Sequence, residues 1–122
     1  MDHADLTRRV IGCAIEVHRR LGPGLLERTY EAAMVIELQH QGLRCTRQVG
    51  VPIRYRDEWI GEYRIDLIVE DAVVLEIKST ERDDKFFEAQ ALAYLRASGL
   101  HIGLIINFNS KLVTQGVKRL VL

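Results

Sequence analysis

Cysteine is scarce in this chain: Cys13 and Cys45 are the only two, far apart and in no CxxC spacing. That excludes the disulfide framework of a small secreted domain and a structural zinc site, and it fits a reducing compartment. Long apolar runs are also missing. No segment approaches the roughly 20 residues a membrane helix needs. The polar start Met1-Asp2-His3-Ala4-Asp5 lacks the basic-then-apolar pattern of a secretory signal. A soluble, cytoplasmic protein without membrane contact is the expectation. An excess of one charge is absent too, with 17 basic and 17 acidic residues and a formal net charge of zero. Strong indiscriminate binding to nucleic acid draws on phosphate neutralisation, so this balance weighs against it. Locally, Arg44, Arg47, Arg54, Arg56 and Arg64 do cluster between residues 44 and 64. The four histidines show no ligand spacing, and His18 and His40 read as helix-surface residues. Ser and Cys nucleophiles lack a partner base at readable spacing, and Gly22-Pro23-Gly24 lacks the downstream Gly-Lys-Ser/Thr of a phosphate loop.

What is present is an ordinary globular composition, 48% apolar and 28% charged, over 122 residues. One domain covering residues 1–122, with a core that needs no staples, is expected. Leu6, Val10, Cys13, Val17 and Leu21 recur every three or four positions, with Ile11, Ala14 and Ile15 widening the stripe. This predicts a helix over 5–20. After the Gly22-Pro23-Gly24 break a second helix runs from about Leu25 to Gln41, ended by Gly42 as a left-handed cap. From Arg44 the period becomes two. Strands are expected at 44–49 and 51–55, the latter lying at a sheet edge or beginning just there, because Pro52 lacks a donor. Arg56-Asp57-Glu58 reads as a turn, Trp59 to Val69 as a long strand, and Val73 to Ser79 as its hairpin partner after Glu70-Asp71-Ala72. A third helix from about Asp84 to Ser98 leads to His101–Phe108. The run Gly103-Leu104-Ile105-Ile106 in that segment is apolar on both faces, as a covered parallel strand should be. The tail from Lys111 is a strand or a short helix. The expected order is α-α-β-β-β-β-α-β. The fold class is thus α/β, with a mixed central sheet flanked by helices: an antiparallel meander plus a parallel strand after a helical crossover.

The chemistry-bearing stretch is Tyr63 to Lys78. Asp66 lies mid-strand in an apolar segment, and Glu76 and Lys78 share a face of the next strand. If residues 70–72 form a three-residue loop, Val69 opposes Val73 and Asp66 falls opposite Glu76, with Cβ atoms about 5 Å apart. A loop one residue longer or shorter would send the two carboxylates to opposite faces. Two carboxylates that close repel, and their burial needs compensation. Lys78 can supply it as a structural ion pair, or a divalent cation can bind both. On the second helix Glu27 sits in the first turn, where the helix dipole favours a carboxylate. On the third helix Gln90 and Tyr94 stand at i and i+4, with Phe87 one turn earlier. Glu88 and Lys85 read as solvated.

The Asp66, Glu76-Ile77-Lys78 arrangement resembles the PD-(D/E)XK nuclease superfamily, restriction-endonuclease-like in fold, although Ile65 replaces the proline before the aspartate. Leu21-Gly22-Pro23-Gly24 with Gly24-Leu25-Leu26-Glu27-Arg28-Thr29-Tyr30 is similar to the GxxExxY proteins. So are Val74-Leu75-Glu76-Ile77-Lys78 and Leu104-Ile105-Ile106-Asn107-Phe108. The resemblance runs from about Asp5 to Leu122. It implies that Glu27, Asp66, Glu76 and the backbone carbonyl of Ile77 hold Mg²⁺ or Mn²⁺. It also implies that Asp66, Glu76 and Lys78 are catalytic, and that Gln90 and Tyr94 match the Gln-x-x-x-Tyr of the exonuclease branch. The implied activity is metal-dependent hydrolysis of DNA or RNA. The alternative is a catalytically silent module of the same fold that binds nucleic acid or protein, as a homodimer or with a partner protein.

Overall fold

The computed structural model describes residues 3–82 and 85–122. Its elements are α1 (His3–Leu21), α2 (Glu27–His40), β1 (Cys45–Tyr55), β2 (Glu58–Val69), β3 (Val73–Lys78), α3 (Lys85–Ser98), β4 (Ile102–Asn107), a 3₁₀ turn (Val113–Gly116) and β5 (Val117–Val121). The five strands form one sheet in the order β1-β2-β3-β4-β5. β3 and β4 are parallel, and the other neighbouring pairs are antiparallel. The expected α/β class with a helical crossover to a parallel strand is therefore what is found.

The apolar period of α1 explains its packing. Leu6, Val10, Cys13, Ala14 and Val17 are buried and join Tyr30, Met34 and Leu38 of α2 against Leu67, Val69, Leu75, Ile77, Leu104 and Ile106 of the sheet. The opposite face is covered by α3, where Tyr94 and Leu95 pack with Val51, Ile65 and Val74. β3 and β4 are thus sandwiched, which is why both are apolar on both faces. Gly42 has φ 73. Its N–H donates to the Gln39 carbonyl and the Leu43 N–H to the Leu38 carbonyl, the double bond of a left-handed helix cap.

Several expectations are corrected. Residues 45–55 form one strand, not two, and it lies at the sheet edge as Pro52 requires. Three strands, not four, precede α3. The tail holds both a 3₁₀ turn and an edge strand. The β1–β2 turn is the pair Arg56-Asp57, both left-handed, with Glu58 already paired to Tyr55. Leu21 and Ile15 are exposed because α1 turns those positions away from the sheet. His18 is buried, not on the surface: its Nε2 lies 2.9 Å from the Ser110 carbonyl, and its ring neighbours Phe108. The expected start of α3 at Asp84 lies outside the described residues.

One irregularity positions the site. Cys45 and Leu67 pack on the α1/α2 side, yet Val49, Val51 and Ile65, of the same parity, pack under α3. The ribbon exchanges its faces between these residues. Gln48 stands there at φ 49, a left-handed conformation unusual for its type. By the register of its neighbours it lies opposite Asp66.

Candidate functional site

The β2–β3 hairpin closes through the Ala72 N–H donating to the Val69 carbonyl at 3.0 Å, with Glu70 and Asp71 both left-handed. Val69 then pairs with Val73, Ile68 with Val74 and Leu67 with Leu75, so Asp66 comes opposite Glu76. There the backbone ladder stops. Asp66 Oδ2 accepts the Ile77 N–H at 2.7 Å, and the Asp66 N–H points at Glu76 Oε1 at 3.4 Å. Side chains take the place of the next backbone bonds, the strands part, and β2 continues outward paired only to β1.

Burial dominates the electrostatics of this pair. Glu76 is buried, and its carboxyl is pushed up to about 8, first by desolvation and then by the charge of Asp66. Asp66 is also raised, again mainly by burial, although the Ile77 N–H favours its ionised form. Lys78 lowers both. Its ammonium, however, rests 4.6 Å from the centroid of Phe87 and 3.5 Å from Gln90 Oε1. Among the described residues it makes no direct ion pair with either carboxylate, so the structural ion-pair alternative has no contact behind it. Tyr94 is buried beside the two acids, and their charges together with burial raise its phenol. Lys78 on β3 and Tyr94 on α3 thus interact with the pair through its charges, while Gln90 reaches it through Lys78.

Glu27 is placed by the loop before α2. Tyr30, fully buried and stacked on Phe108 at 4.5 Å, donates its hydroxyl to the Gly22 carbonyl at 2.5 Å and accepts the Leu25 N–H at 3.2 Å. Ser79 Oγ, one residue beyond Lys78, donates to the Leu25 carbonyl at 2.6 Å. The tyrosine of GxxExxY thus folds the glycine loop, and Ser79 ties that loop to the end of β3. Glu27 opens α2 as an exposed carboxylate whose charge is felt by both Asp66 and Glu76. Among the described residues, no three His, Cys, Asp or Glu side chains gather into a metal-binding group. Glu27 therefore flanks the pair without closing on it.

The sequence from residue 4 to residue 120 matches the PD-(D/E)XK nuclease superfamily. The chain belongs to that superfamily. No curated protein and no solved structure matches it. Nucleases of this superfamily generally use divalent metals, and the donor set here suits one. Asp66 and Glu76 offer hard carboxylate oxygens on adjacent strands, and one or two carboxylates with waters are what Mg²⁺ takes. A cation between them would also offset the repulsion that burial imposes. Among the described residues no helix is long and apolar enough to cross a membrane.

Two contributors were not legible as site residues. Glu31, one turn beyond Glu27, is buried and accepts from Arg47 at 2.8 Å and Gln48 at 2.7 Å, while its charge also raises Asp66. It fixes the left-handed residue that faces Asp66. Its signal was only a carboxylate on the inner face of α2. Tyr63, whose ring lies 5.9 Å from Tyr94, extends the site along β2, and strand alternation alone assigned it no role. Arg44, Arg47 and Arg64 are each committed to a carboxylate, Glu70, Glu31 and Glu62 respectively. Of these pairs only that of Arg47 reaches a buried carboxylate; those of Arg44 and Arg64 lie at the surface. Glu88, expected to be solvated, pairs with Lys118 at 3.5 Å.

Proposed function

We propose that the chain is a metal-dependent nuclease that hydrolyses phosphodiester bonds of DNA or RNA, acting as one domain over residues 1–122 and belonging to the GxxExxY branch. The observation that carries this reading is the pair Asp66–Glu76, held face to face in an apolar hairpin with Glu76 pushed up to about 8. A buried carboxylate pair without a direct cationic partner suits a cation site better than a structural role. Asp66 and Glu76 would hold the ion, with the Ile77 carbonyl and, through the Ser79-tethered loop, Glu27. Bound Mg²⁺ or Mn²⁺ supplies a more acidic water and neutralises charge on the scissile phosphate. Lys78 orients the attacking water or stabilises the negative transition state. Gln90 holds the Lys78 ammonium, and Tyr94 positions substrate beside the carboxylates. The test is cleavage of end-labelled DNA and RNA in Mg²⁺ by wild type, Asp66→Asn and Lys78→Met. Activity confined to the wild type and abolished by EDTA supports the reading. Equal cleavage by all three refutes it.

One observation favours a second reading, a catalytically silent binding module. Every buried side-chain nitrogen or oxygen among the described residues already has a hydrogen-bond partner. That reading expects nucleic acid or a protein partner, including a second copy, to bind without any Mg²⁺-dependent cleavage.

A further inference from the structure

Before residue 66, β2 is paired only to β1, so residues 49–65 form a two-stranded ribbon whose base, at Val49, Val51 and Ile65, packs under α3 and whose tip extends from the sheet. Such ribbons are marginal alone and bury little. This one exposes Tyr55, Trp59, Ile60 and Tyr63, at 64, 62, 63 and 53% of their surface. Three of these four side chains are aromatic. The aromatics are not isolated from the site. The charges of Asp66 and Glu76 reach Tyr94, whose ring is 5.9 Å from the exposed Tyr63. Tyr63 thus links the carboxylates to the ribbon, while the register shift between Ile53 and Arg54 turns Trp59 to the ribbon's other face.

The charges select the occupant. Duplex binding takes its affinity from many neutralised phosphates. Here the net charge is zero, and Arg44, Arg47 and Arg64 are engaged by carboxylates. Of the five arginines between residues 44 and 64, Arg54 and Arg56 at the ribbon tip are left without a carboxylate partner among the described residues, Arg56 lying over the Tyr55 ring. A few cations interleaved with exposed aromatics match an unpaired strand, whose bases stack and whose backbone needs few contacts. We infer that the β1–β2 ribbon is a stacking surface that guides an unpaired nucleic-acid strand, DNA or RNA, past Tyr63 toward the carboxylate pair. This rests on the nuclease reading and adds a substrate class to it.

Trp59 is the sole tryptophan, so its emission reports on the ribbon directly. The experiment titrates the full chain in EDTA with a 12-nucleotide single strand, as DNA and as RNA, and with the same sequence as a duplex. Saturable quenching of Trp59, with either single strand bound at least tenfold tighter than the duplex, supports the stacking surface. The DNA and RNA arms identify which strand it prefers. Tyr63→Ala and Tyr55→Ala, followed by anisotropy of a labelled strand, should each weaken binding roughly tenfold while Tyr63→Phe does not. Thermal melts establish that each variant is folded. The inference is overturned by absent quenching, by equal affinity for the duplex, by alanine variants that bind normally, or by self-association that buries Trp59. Because EDTA removes chemistry, binding without any Mg²⁺-dependent cleavage upholds the stacking surface and refutes the nuclease reading alone. Duplex cleavage without single-strand binding does the reverse.

Discussion

Replacing Glu76 by Gln should stabilise the metal-free protein at alkaline pH and leave it nearly unchanged in acid. The Glu76 carboxyl is held near 8 in the fold against an ordinary value of 4.5, because it is buried beside Asp66. Between those values the folded chain keeps a proton that the unfolded chain has released. Stability contributed by this group is therefore complete below about pH 4.5, falls as pH rises, and is lost above about 8. Three to four pH units at about 1.36 kcal/mol each give a ceiling of about 5 kcal/mol, and relaxation around the pair reduces it to about 2–5. For 122 residues, unfolding entropies of about 2.1 cal/mol/K per residue make 1 kcal/mol worth about 4 °C, so the shift is about 8–20 °C. A Gln in the same rotamer keeps the acceptor that faces the Asp66 N–H and never ionises. Thermal melts of both proteins in EDTA at pH 5 and pH 9 read the effect. The wild type should lose stability relative to the variant between the two, and groups common to both cancel in the difference. Parallel behaviour, or a variant less stable at both pH values, would refute the assignment of a strained carboxylate to this hairpin.

Tyr30→Phe removes the hydroxyl that bridges the Gly22 carbonyl and the Leu25 N–H. Urea denaturation should show a loss of about 1–2 kcal/mol. Gly116→Ala places a Cβ 2.3 Å from the Asn107 carbonyl oxygen and 2.5 Å from Ser110 Oγ, so a loss of about 1–3 kcal/mol in the same assay is expected. Lys78→Met gives up only the Gln90 contact and the Phe87 ring. Its melting temperature should fall by no more than a few degrees, while Mg²⁺-dependent cleavage drops by roughly 10²-fold or more.

The parts of this molecule legible in the sequence are those governed by short-range rules. Parity across the three residues 70–72 set Asp66 opposite Glu76, because a side-chain period of two leaves no other outcome for that loop. The unbroken apolar run of Gly103 to Ile106 announced a strand covered on both faces, and Pro52 announced an edge. What escaped depends on distant partners. Gln48 adopts its left-handed conformation where Arg47 and Gln48 reach Glu31 from another element, and no local propensity of glutamine encodes that. His18 is drawn inside by a carbonyl 92 residues away. β5 is a strand because β4 offers it an edge, and its own pattern was ambiguous. Glu27 was legible as a carboxylate near the site. Its setting, exposed at the start of α2 after a loop tethered through Leu25 to Ser79, required the tertiary structure.

The central claim is that Asp66 and Glu76 form a cation site, and calorimetric titration of Mg²⁺ and Mn²⁺ into the full chain at pH 8.5 tests it most directly. Above the Glu76 value of about 8 little proton competition remains, so the wild type should give a saturable heat with about one ion or more per chain. Asp66→Asn, whose side-chain carbonyl can still accept the Ile77 N–H that Asp66 Oδ2 takes at 2.7 Å, should stay folded and give none. A wild type without saturable heat, or an Asp66→Asn variant that binds as tightly, would contradict the account.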